Sequence, residues 1–185
     1  MDILDKAIVF AVEAHSGGVR KGTKKPYITH PLEAMVIVAT MTDDREMMTA
    51  AVLHDVVEDT AFTIEDIRSR FGDRVADLVG AESEDKREDI PAADSWEIRK
   101  KETIEHLKHA GLEEKMITLG DKLSNIRAMY RDYLAIGDKL WERFNQKDKN
   151  KQGWYYKAVA EELADLKEYP SYREYCELVG KVFGE

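Results

Sequence analysis

A His-Asp pair followed by a Glu-Asp pair is the segment of this chain whose residue types best suit chemistry. It reads His54-Asp55-Val56-Val57-Glu58-Asp59 and directly follows an apolar run. On an α-helix, neighbouring side chains lie about 100° apart and residues three or four apart share a face. His54, Asp55 and Glu58 would therefore lie close together. Polar groups at the end of an apolar helix are costly to bury without partners, and a divalent metal ion with a bound water would neutralise them.

Two residues elsewhere in the chain extend this group into a set of metal ligands. His30 stands directly before Pro31, where a helix is expected to begin, and Asp121 interrupts an apolar helical stripe. Gly120 beside it leaves room for the close approach of another backbone. Two imidazoles and two carboxylates suit a borderline-to-hard divalent ion such as Mn²⁺, Fe²⁺ or Zn²⁺. We therefore predict one divalent ion bound by His30, His54, Asp55 and Asp121, with open positions for water and a phosphate oxygen.

The elements that must position these ligands are helices, because the hydrophobic pattern has a helical period nearly throughout. No convincing alternation of period two is found, so we predict an all-α fold, a bundle of about eight to ten helices. Asp43 or Asp44, Thr63 and Ser95 are the expected N-caps of three of them. Irregular structure is expected in three polar segments: residues 17–29, 82–94 and 146–153.

Length and composition are those of a globular protein. The chain has 185 residues, of which 43% are hydrophobic and 35% charged, so we expect a single domain over residues 1–185 rather than a disordered chain. The net charge of −9 argues against a general DNA or RNA binder. A local basic cluster or a metal ion can still attract a small anion.

Cellular location is indicated by cysteine usage and by the absence of targeting signals. Cys176 is the single cysteine, so no disulfide can form within the chain and a reducing cytoplasm fits best. The N-terminus does not resemble a signal peptide, and no stretch approaches 18 consecutive apolar residues. We predict a cytoplasmic protein without a membrane span.

The order of the predicted ligands resembles that of a known superfamily. His30, then His54-Asp55, then Asp121 is similar to the spaced H…HD…D signature of the HD-domain metal phosphohydrolases. The flanking segments resemble the hydrolase domain of the RelA/SpoT family, and the short length is similar to that of a stand-alone small alarmone hydrolase. The resemblance covers about residues 5–165. It is carried by Ala14-His15-Ser16-Gly17, Arg20-Lys21-Gly22, Pro26–Leu32, Leu53–Thr60, Phe71-Gly72 and Asp121–Arg127.

The resemblance implies a specific reaction. Members of the family are all-α, bind one Mn²⁺ and remove the 3′-pyrophosphate from guanosine penta- or tetraphosphate, the alarmones of the stringent response. The products are GTP or GDP and pyrophosphate. His30, His54, Asp55 and Asp121 match the metal ligands of the family. Glu58 and Asp59 match the acidic pair that orients and activates the attacking water.

Substrate contacts follow partly from the resemblance and partly from residue chemistry. Arg20 and Lys21 match a basic pair that packs against the base, and Asn125 matches a residue that lines the nucleoside site. Tyr155 or Tyr156 could donate a hydrogen bond to the pyrophosphate, and Lys157 is one of several lysines that could offset its charge. The substrate is expected to be a small nucleotide polyphosphate rather than a nucleic acid.

Two alternative functions remain open on the sequence. One is another HD nucleotide phosphohydrolase, either a phosphatase or an enzyme for adenosine alarmones. The other is a non-catalytic HD module that binds a nucleotide. Glu82-Ser83-Glu84 stands where many relatives carry a Val-Thr-Lys-like segment, which leaves the choice of nucleotide open. We expect the acidic run Glu82-Ser83-Glu84-Asp85-Lys86 to be solvated, with a role on the substrate side or around the metal ligands as the alternative. The sequence also leaves the oligomeric state open.

Overall fold

The computed structural model describes residues 1–87 and 89–184, and that part of the chain is helical without a β-strand. One isolated bridge pairs Val19 with Pro26. The all-α prediction is confirmed. The α-helices are α1 (Ile3–Ala14), α2 (Thr29–Ala39), α3 (Arg45–Leu53), α4 (Val56–Asp59), α5 (Ile64–Phe71), α6 (Asp73–Glu82), α7 (Ala92–His109), α8 (Leu112–Ile136), α9 (Lys149–Glu162) and α10 (Pro170–Phe183). Short 3-10 helices cover Gly137–Arg143 and Ala164–Leu166.

The chain divides into two compact units. The first unit comprises Met1–Ser83 and Leu112–Ser124, and it contains all four predicted metal ligands. The second unit comprises Glu84–Gly111 and Asn125–Glu185. The assignment of residues 1–185 to a single domain stays a prediction.

Helix α3 is the centre of the first unit. It packs against α1, α2 and α6, and Val52 and Leu53 at its end are fully buried. Burial of each such side chain stabilises the fold by about 1.5–3 kcal/mol. His54 follows directly as the C-cap residue of α3. The packing of α3 therefore fixes the position of the first predicted ligand pair.

The second unit is held together by α7, α9 and α10, with α9 packed against both of the others. Tyr175 of α10 is fully buried, and its hydroxyl donates a hydrogen bond to the backbone oxygen of Tyr156 at 2.9 Å. Arg127 binds the carboxylate of Glu174 through two nitrogens, at 2.6 and 2.7 Å. Two parallel hydrogen bonds of this kind fix the orientation of the two side chains as well as their distance.

Two of the predicted helix caps are confirmed. Asp44 accepts hydrogen bonds from the backbone N–H groups of Glu46 and Met47 at the start of α3. Thr63 and Asp66 form a reciprocal capping box at the start of α5. Both caps satisfy N–H groups that the first turn of a helix leaves without partners.

Two helix starts were predicted wrongly. Helix α7 begins at Ala92, not after Ser95, because the Pro91 carbonyl already accepts from Asp94 and Ser95 in a helical turn. Helix α9 begins at Lys149, inside a segment predicted to be irregular. There the side chain of Asp148 caps the helix by accepting from the N–H of Asn150 at 2.8 Å.

None of the helices in residues 1–87 and 89–184 combines the length and the apolar character that crossing a membrane requires.

Close contact between α2 and α8 depends on Gly120, as its position in the sequence predicted. A Cβ atom placed there would lie 2.8 Å from the backbone oxygen of Ala34 and 2.9 Å from Cγ2 of Val38. The first of these atoms is backbone and cannot move away without shifting α2. The two helices thus approach at a separation that only glycine permits, and they carry His30 and Asp121 towards each other.

Gly120→Ala should therefore lower the free energy of unfolding by about 1–3 kcal/mol through overpacking. The matched control is Gly180→Ala in α10, where a Cβ would meet no heavy atom within 4 Å. That variant should gain up to about 1 kcal/mol, because alanine is the better helix former. Urea denaturation of both variants measures the difference. Equal stability of Gly120→Ala and the unaltered protein would contradict the close approach.

Candidate metal centre

The four predicted metal ligands converge in the first unit. His30 lies in the first turn of α2, His54 ends α3, Asp55 joins α3 to α4, and Asp121 lies in α8. His30, His54 and Asp121 are 3%, 3% and 7% exposed. Each of these three offers a ligand atom within 4.8 Å of the others. This His/His/Asp cluster could hold a divalent metal ion.

Asp55 joins the cluster through contacts with both imidazoles. Its Oδ2 atom lies 3.1 Å from Nε2 of His54 and 3.4 Å from Nε2 of His30. Asp121 Oδ1 lies 3.1 Å from Nε2 of His30 and 3.7 Å from Nε2 of His54. Ligand atoms on one metal ion are roughly 3–3.5 Å apart when the bonds are near 2.1 Å. The four side chains therefore face one common point at suitable separations.

The tautomer of His54 suits a metal ligand. Its Nδ1 atom lies 2.8 Å from the backbone oxygen of Ala51, which can only accept, so Nδ1 carries a proton. In the neutral ring, Nε2 then faces the cluster with its lone pair. That atom lies only 3.2 Å from Nε2 of His30. A proton or a metal ion must lie between these two nitrogens and the carboxylates, so the donor set fits a divalent ion.

The pKa shifts within the cluster also show that it favours positive charge. Burial lowers the pKa of His54, but the charge of Asp55 and a hydrogen bond with Asp121 outweigh burial and hold that pKa well above its usual value. Burial would raise the pKa of Asp55, yet the charge of His54 holds it well below its usual range. Lys122 has the corresponding effect on the pKa of Asp121. The two carboxylates are therefore ionised, and a proton on His54 competes with a metal ion.

Tyr27 is a site residue that the sequence analysis missed. Its hydroxyl lies 2.6 Å from Oδ2 of Asp55 and 2.8 Å from Oδ2 of Asp59. Burial and these two carboxylates raise the pKa of Tyr27 well above its usual value, so the phenol keeps its proton and donates it. Tyr27 thus links a predicted metal ligand to a predicted catalytic residue. The available signal was its place in the Pro26–Leu32 segment, three residues before His30.

The loop before α2 brings Arg20 to this tyrosine. Backbone hydrogen bonds from Arg20 to Lys25 and from Tyr27 to Gly18 close the loop, at 2.8 and 2.9 Å. The guanidinium carbon of Arg20 lies 5.6 Å from the centre of the Tyr27 ring, within the range of a cation–π contact. Arg20 is half-buried and Lys21 is exposed. The predicted base-binding pair therefore lies on a closed loop that ends beside the metal ligands.

The predicted catalytic pair lies on the single turn of α4. Glu58 is half-buried, whereas Asp59 is exposed and held by the Tyr27 hydroxyl. Glu58 and Asp59 lie three and four residues after the predicted ligand Asp55 along the chain. Their roles in activating water stay predictions.

The remaining predicted substrate contacts belong to the second unit. Asn125 lies in α8 and is half-buried, as is Lys157 in α9. Tyr155 is 3% exposed, and its ring lies edge-on to Trp96 and to Tyr156, at centroid distances of 6.1 and 5.7 Å. The roles of these three residues towards a substrate stay predictions.

The acidic run at the end of α6 is solvated only in part, because Asp85 and Lys86 are exposed whereas Glu82 and Glu84 are half-buried. The Glu82 carboxylate accepts a hydrogen bond from the Thr118 hydroxyl at 2.6 Å, and burial raises the pKa of Glu82 to about 7. Glu84 is 14% exposed and accepts from Arg99, Lys100 and Thr103. The solvated interpretation was wrong for Glu82 and Glu84, because each carboxylate finds donors on another helix.

Comparisons with known proteins give consistent matches. The model of the HD domain family matches residues 7–142. The guanosine-3′,5′-bis(diphosphate) 3′-pyrophosphohydrolase MESH1 of Danio rerio is 36% identical over 132 residues, which are 70% of each chain. A solved structure from Listeria monocytogenes is 34% identical with a TM-score of 0.74, covering 87% of this chain and 99% of that one. A metazoan ortholog of SpoT that hydrolyses ppGpp shares the fold at 24% identity, with a TM-score of 0.76 over 98% and 95% of the two chains.

Glu82 should make the metal-free protein less stable as the pH rises from about 4.5 to about 7. Within this window the folded protein keeps the Glu82 proton while the unfolded chain releases it. The difference in Glu82 protonation then lowers the free energy of unfolding by at most about 1.4 kcal/mol for each unit of rising pH. Glu82→Gln removes that part of the fall, so its unfolding free energy should decline less steeply than that of the unaltered protein.

Urea denaturation at several pH values with a chelator present measures this slope. Glu161→Gln, at an exposed position of α9, controls for the loss of one acidic group. Parallel curves for Glu82→Gln and the unaltered protein would show that Glu82 does not titrate in this window.

Proposed function

The chain belongs to the HD-domain family, and on this basis we propose that it removes the 3′-pyrophosphate from guanosine penta- or tetraphosphate. The products are GTP or GDP and pyrophosphate. The observation that carries the proposal is the convergence of His30, His54, Asp55 and Asp121 on one point. The family match confirms the resemblance expected from the motifs. A relative 36% identical, named as this 3′-pyrophosphohydrolase, supports the substrate.

The cluster fits one divalent ion per chain, and Mn²⁺ is the ion we propose. Mixed imidazole and carboxylate ligands also suit Fe²⁺ and Zn²⁺. A bound ion would lower the pKa of a coordinated water and withdraw charge from the phosphoryl oxygens. Metal affinity should fall with decreasing pH, because protons compete for the same imidazoles and carboxylates.

Glu58 and Asp59 manage the attacking water in this proposal. Water supplies the new oxygen on the phosphorus, and the bond from that phosphorus to the 3′ oxygen breaks. One proton must leave the water, and the departing 3′ oxygen must gain one. Glu58 is the general base that takes the first proton. Asp59 orients the water, and the hydroxyl of Tyr27 holds the Asp59 carboxylate in place.

Charge distribution explains how a chain of net charge −9 attracts a polyanion. Residues 17–29 contain four basic residues and no acid, so this loop is locally positive. Arg20 is planar and stacks on a purine base, while Lys21 packs beside it. Asn125 lines the nucleoside site, Tyr155 donates to the pyrophosphate and Lys157 offsets its charge. An acidic protein with one basic loop favours a compact anion over a long nucleic acid.

The cytoplasm is the proposed location, supported by the single cysteine and by a nucleotide substrate. The direct test of function is product analysis. Metal-loaded protein is incubated with guanosine and adenosine nucleotides that carry a 3′-pyrophosphate, and with ordinary nucleoside triphosphates. Release of pyrophosphate from the guanosine compounds is expected. Orthophosphate as the product would favour a nucleotide phosphatase, preference for adenosine would change the substrate, and no turnover would favour a binding module.

Glu58→Gln and Asp121→Ala should separate chemistry from metal binding. Glu58→Gln keeps the shape of the side chain but removes the base, so turnover should fall by roughly 10²-fold or more while the metal stays bound. Asp121→Ala should lose the metal as well. Elemental analysis and steady-state kinetics give the two readouts, with Glu161→Gln as the control. Turnover of Glu58→Gln near that of the unaltered enzyme would rule out the general-base role.

Arg20→Ala should weaken substrate binding without changing metal content. Loss of stacking on the base should raise KM by roughly tenfold, which corresponds to about 1.4 kcal/mol. Arg173→Ala removes an exposed arginine on α10 and is the matched control. An unchanged KM for Arg20→Ala would show that Arg20 does not bind the base.

A further inference from the structure

Behind the metal centre, a hydrogen-bond chain runs from Glu33 through Ser124 to His30. Ser124 lies three residues after Asp121 on α8, and Glu33 lies three residues after His30 on α2. Oγ of Ser124 is 2.8 Å from Oε2 of Glu33 and 2.8 Å from Nδ1 of His30. Ser124 is 1% exposed. The backbones of α2 and α8 can bring these side chains together because Gly120 lets the helices approach.

The two hydrogen bonds that join Glu33, Ser124 and His30 have a definite direction of donation. A serine hydroxyl has one proton to donate, and an ionised carboxylate can only accept. Ser124 therefore donates to Glu33 and accepts from Nδ1–H of His30. The proton on Nδ1 leaves the lone pair on Nε2, the atom that faces Asp55, Asp121 and His54. Without Glu33, the hydroxyl could rotate and donate to Nδ1, which would favour the opposite tautomer.

We infer that Ser124 and Glu33 are positioning residues that hold His30 with its proton on Nδ1 and its Nε2 lone pair directed at a divalent ion. The inference rests on the metal site of the proposed function. The Ala51 carbonyl does the same for His54, but through the backbone, so no substitution can remove it. His30 instead depends on two side chains. Outer partners of metal-bound histidines typically change metal affinity by about 10–100-fold.

The first test measures Zn²⁺ affinity by competition with a chelator, without nucleotide. Ser124→Ala should weaken binding by about 10–100-fold. Ser124→Thr keeps the hydroxyl and should restore the affinity. Ser95→Ala is the matched control, because Ser95 is equally buried but contacts Arg99 in the second unit. Circular dichroism verifies that each variant is folded.

The second test is a double-mutant cycle between Ser124 and Glu33. If Glu33 acts only through Ser124, Glu33→Ala weakens Zn²⁺ binding when Ser124 is present and adds no further loss to Ser124→Ala. A purely structural role of either residue predicts additive losses instead. Nitrogen-15 spectra of the Zn²⁺-loaded protein should show the His30 proton on Nδ1, protected from exchange in the unaltered protein and in Ser124→Thr. That protection should be lost in Ser124→Ala.

Three results would overturn the inference: additive losses in the cycle, a folded Ser124→Thr that binds as weakly as Ser124→Ala, or a His30 ring without a proton on Nδ1. These measurements also distinguish a failure of the inference from a failure of the proposed function. A protein that binds Zn²⁺ as expected but releases no pyrophosphate contradicts the function and leaves the inference standing. A protein that binds no divalent ion contradicts both.

Discussion

The candidate metal site depends on two imidazoles and two carboxylates that share one space in the first unit, where a proton or a metal ion must supply positive charge. His30, His54 and Asp121 are almost fully buried, and the Nε2 atoms of the two histidines lie 3.2 Å apart. Two lone pairs at that distance repel unless a proton or a metal ion lies between them. Asp55 adds a second negative charge to the same space. Titratable groups gathered in one buried cluster are typical of functional sites, which is why the cluster is a candidate metal site.

Apolar packing and polar contacts together hold the four side chains of the cluster in position. The apolar packing of α3 holds His54, and the contact at Gly120 sets the distance between α2 and α8. Tyr27 then connects the ligand Asp55 to the exposed Asp59. Ser124 connects His30 to Glu33 in the same way. Polar contacts outside the ligand set therefore orient groups that apolar packing alone would leave free to rotate.

The sequence by itself determined the features that local patterns encode. The helical period of apolar residues established the all-α fold, and the caps at Asp44 and Thr63 followed from side chains that bond to backbone within three residues. The ligand candidates were visible because His and Asp residues interrupt apolar stripes, and burying such groups without function is costly. Gly120 was interpretable for a similar reason, since a glycine inside a helix lowers its stability unless close packing requires it.

Only the tertiary structure decided which distant polar groups meet. His30 and Ser124 are 94 positions apart in the chain, and Tyr27 and Asp59 are 32 apart. Their contacts depend on how whole helices pack, which no local spacing encodes. For the same reason the sequence suggested a solvated Glu82, although the Thr118 hydroxyl, 36 positions away, binds it in a buried place. A glutamate or aspartate in the sequence does not indicate whether its carboxylate faces water or a hydrogen-bond donor. The partner that distinguishes the two comes from another helix, and the packed fold alone supplies it.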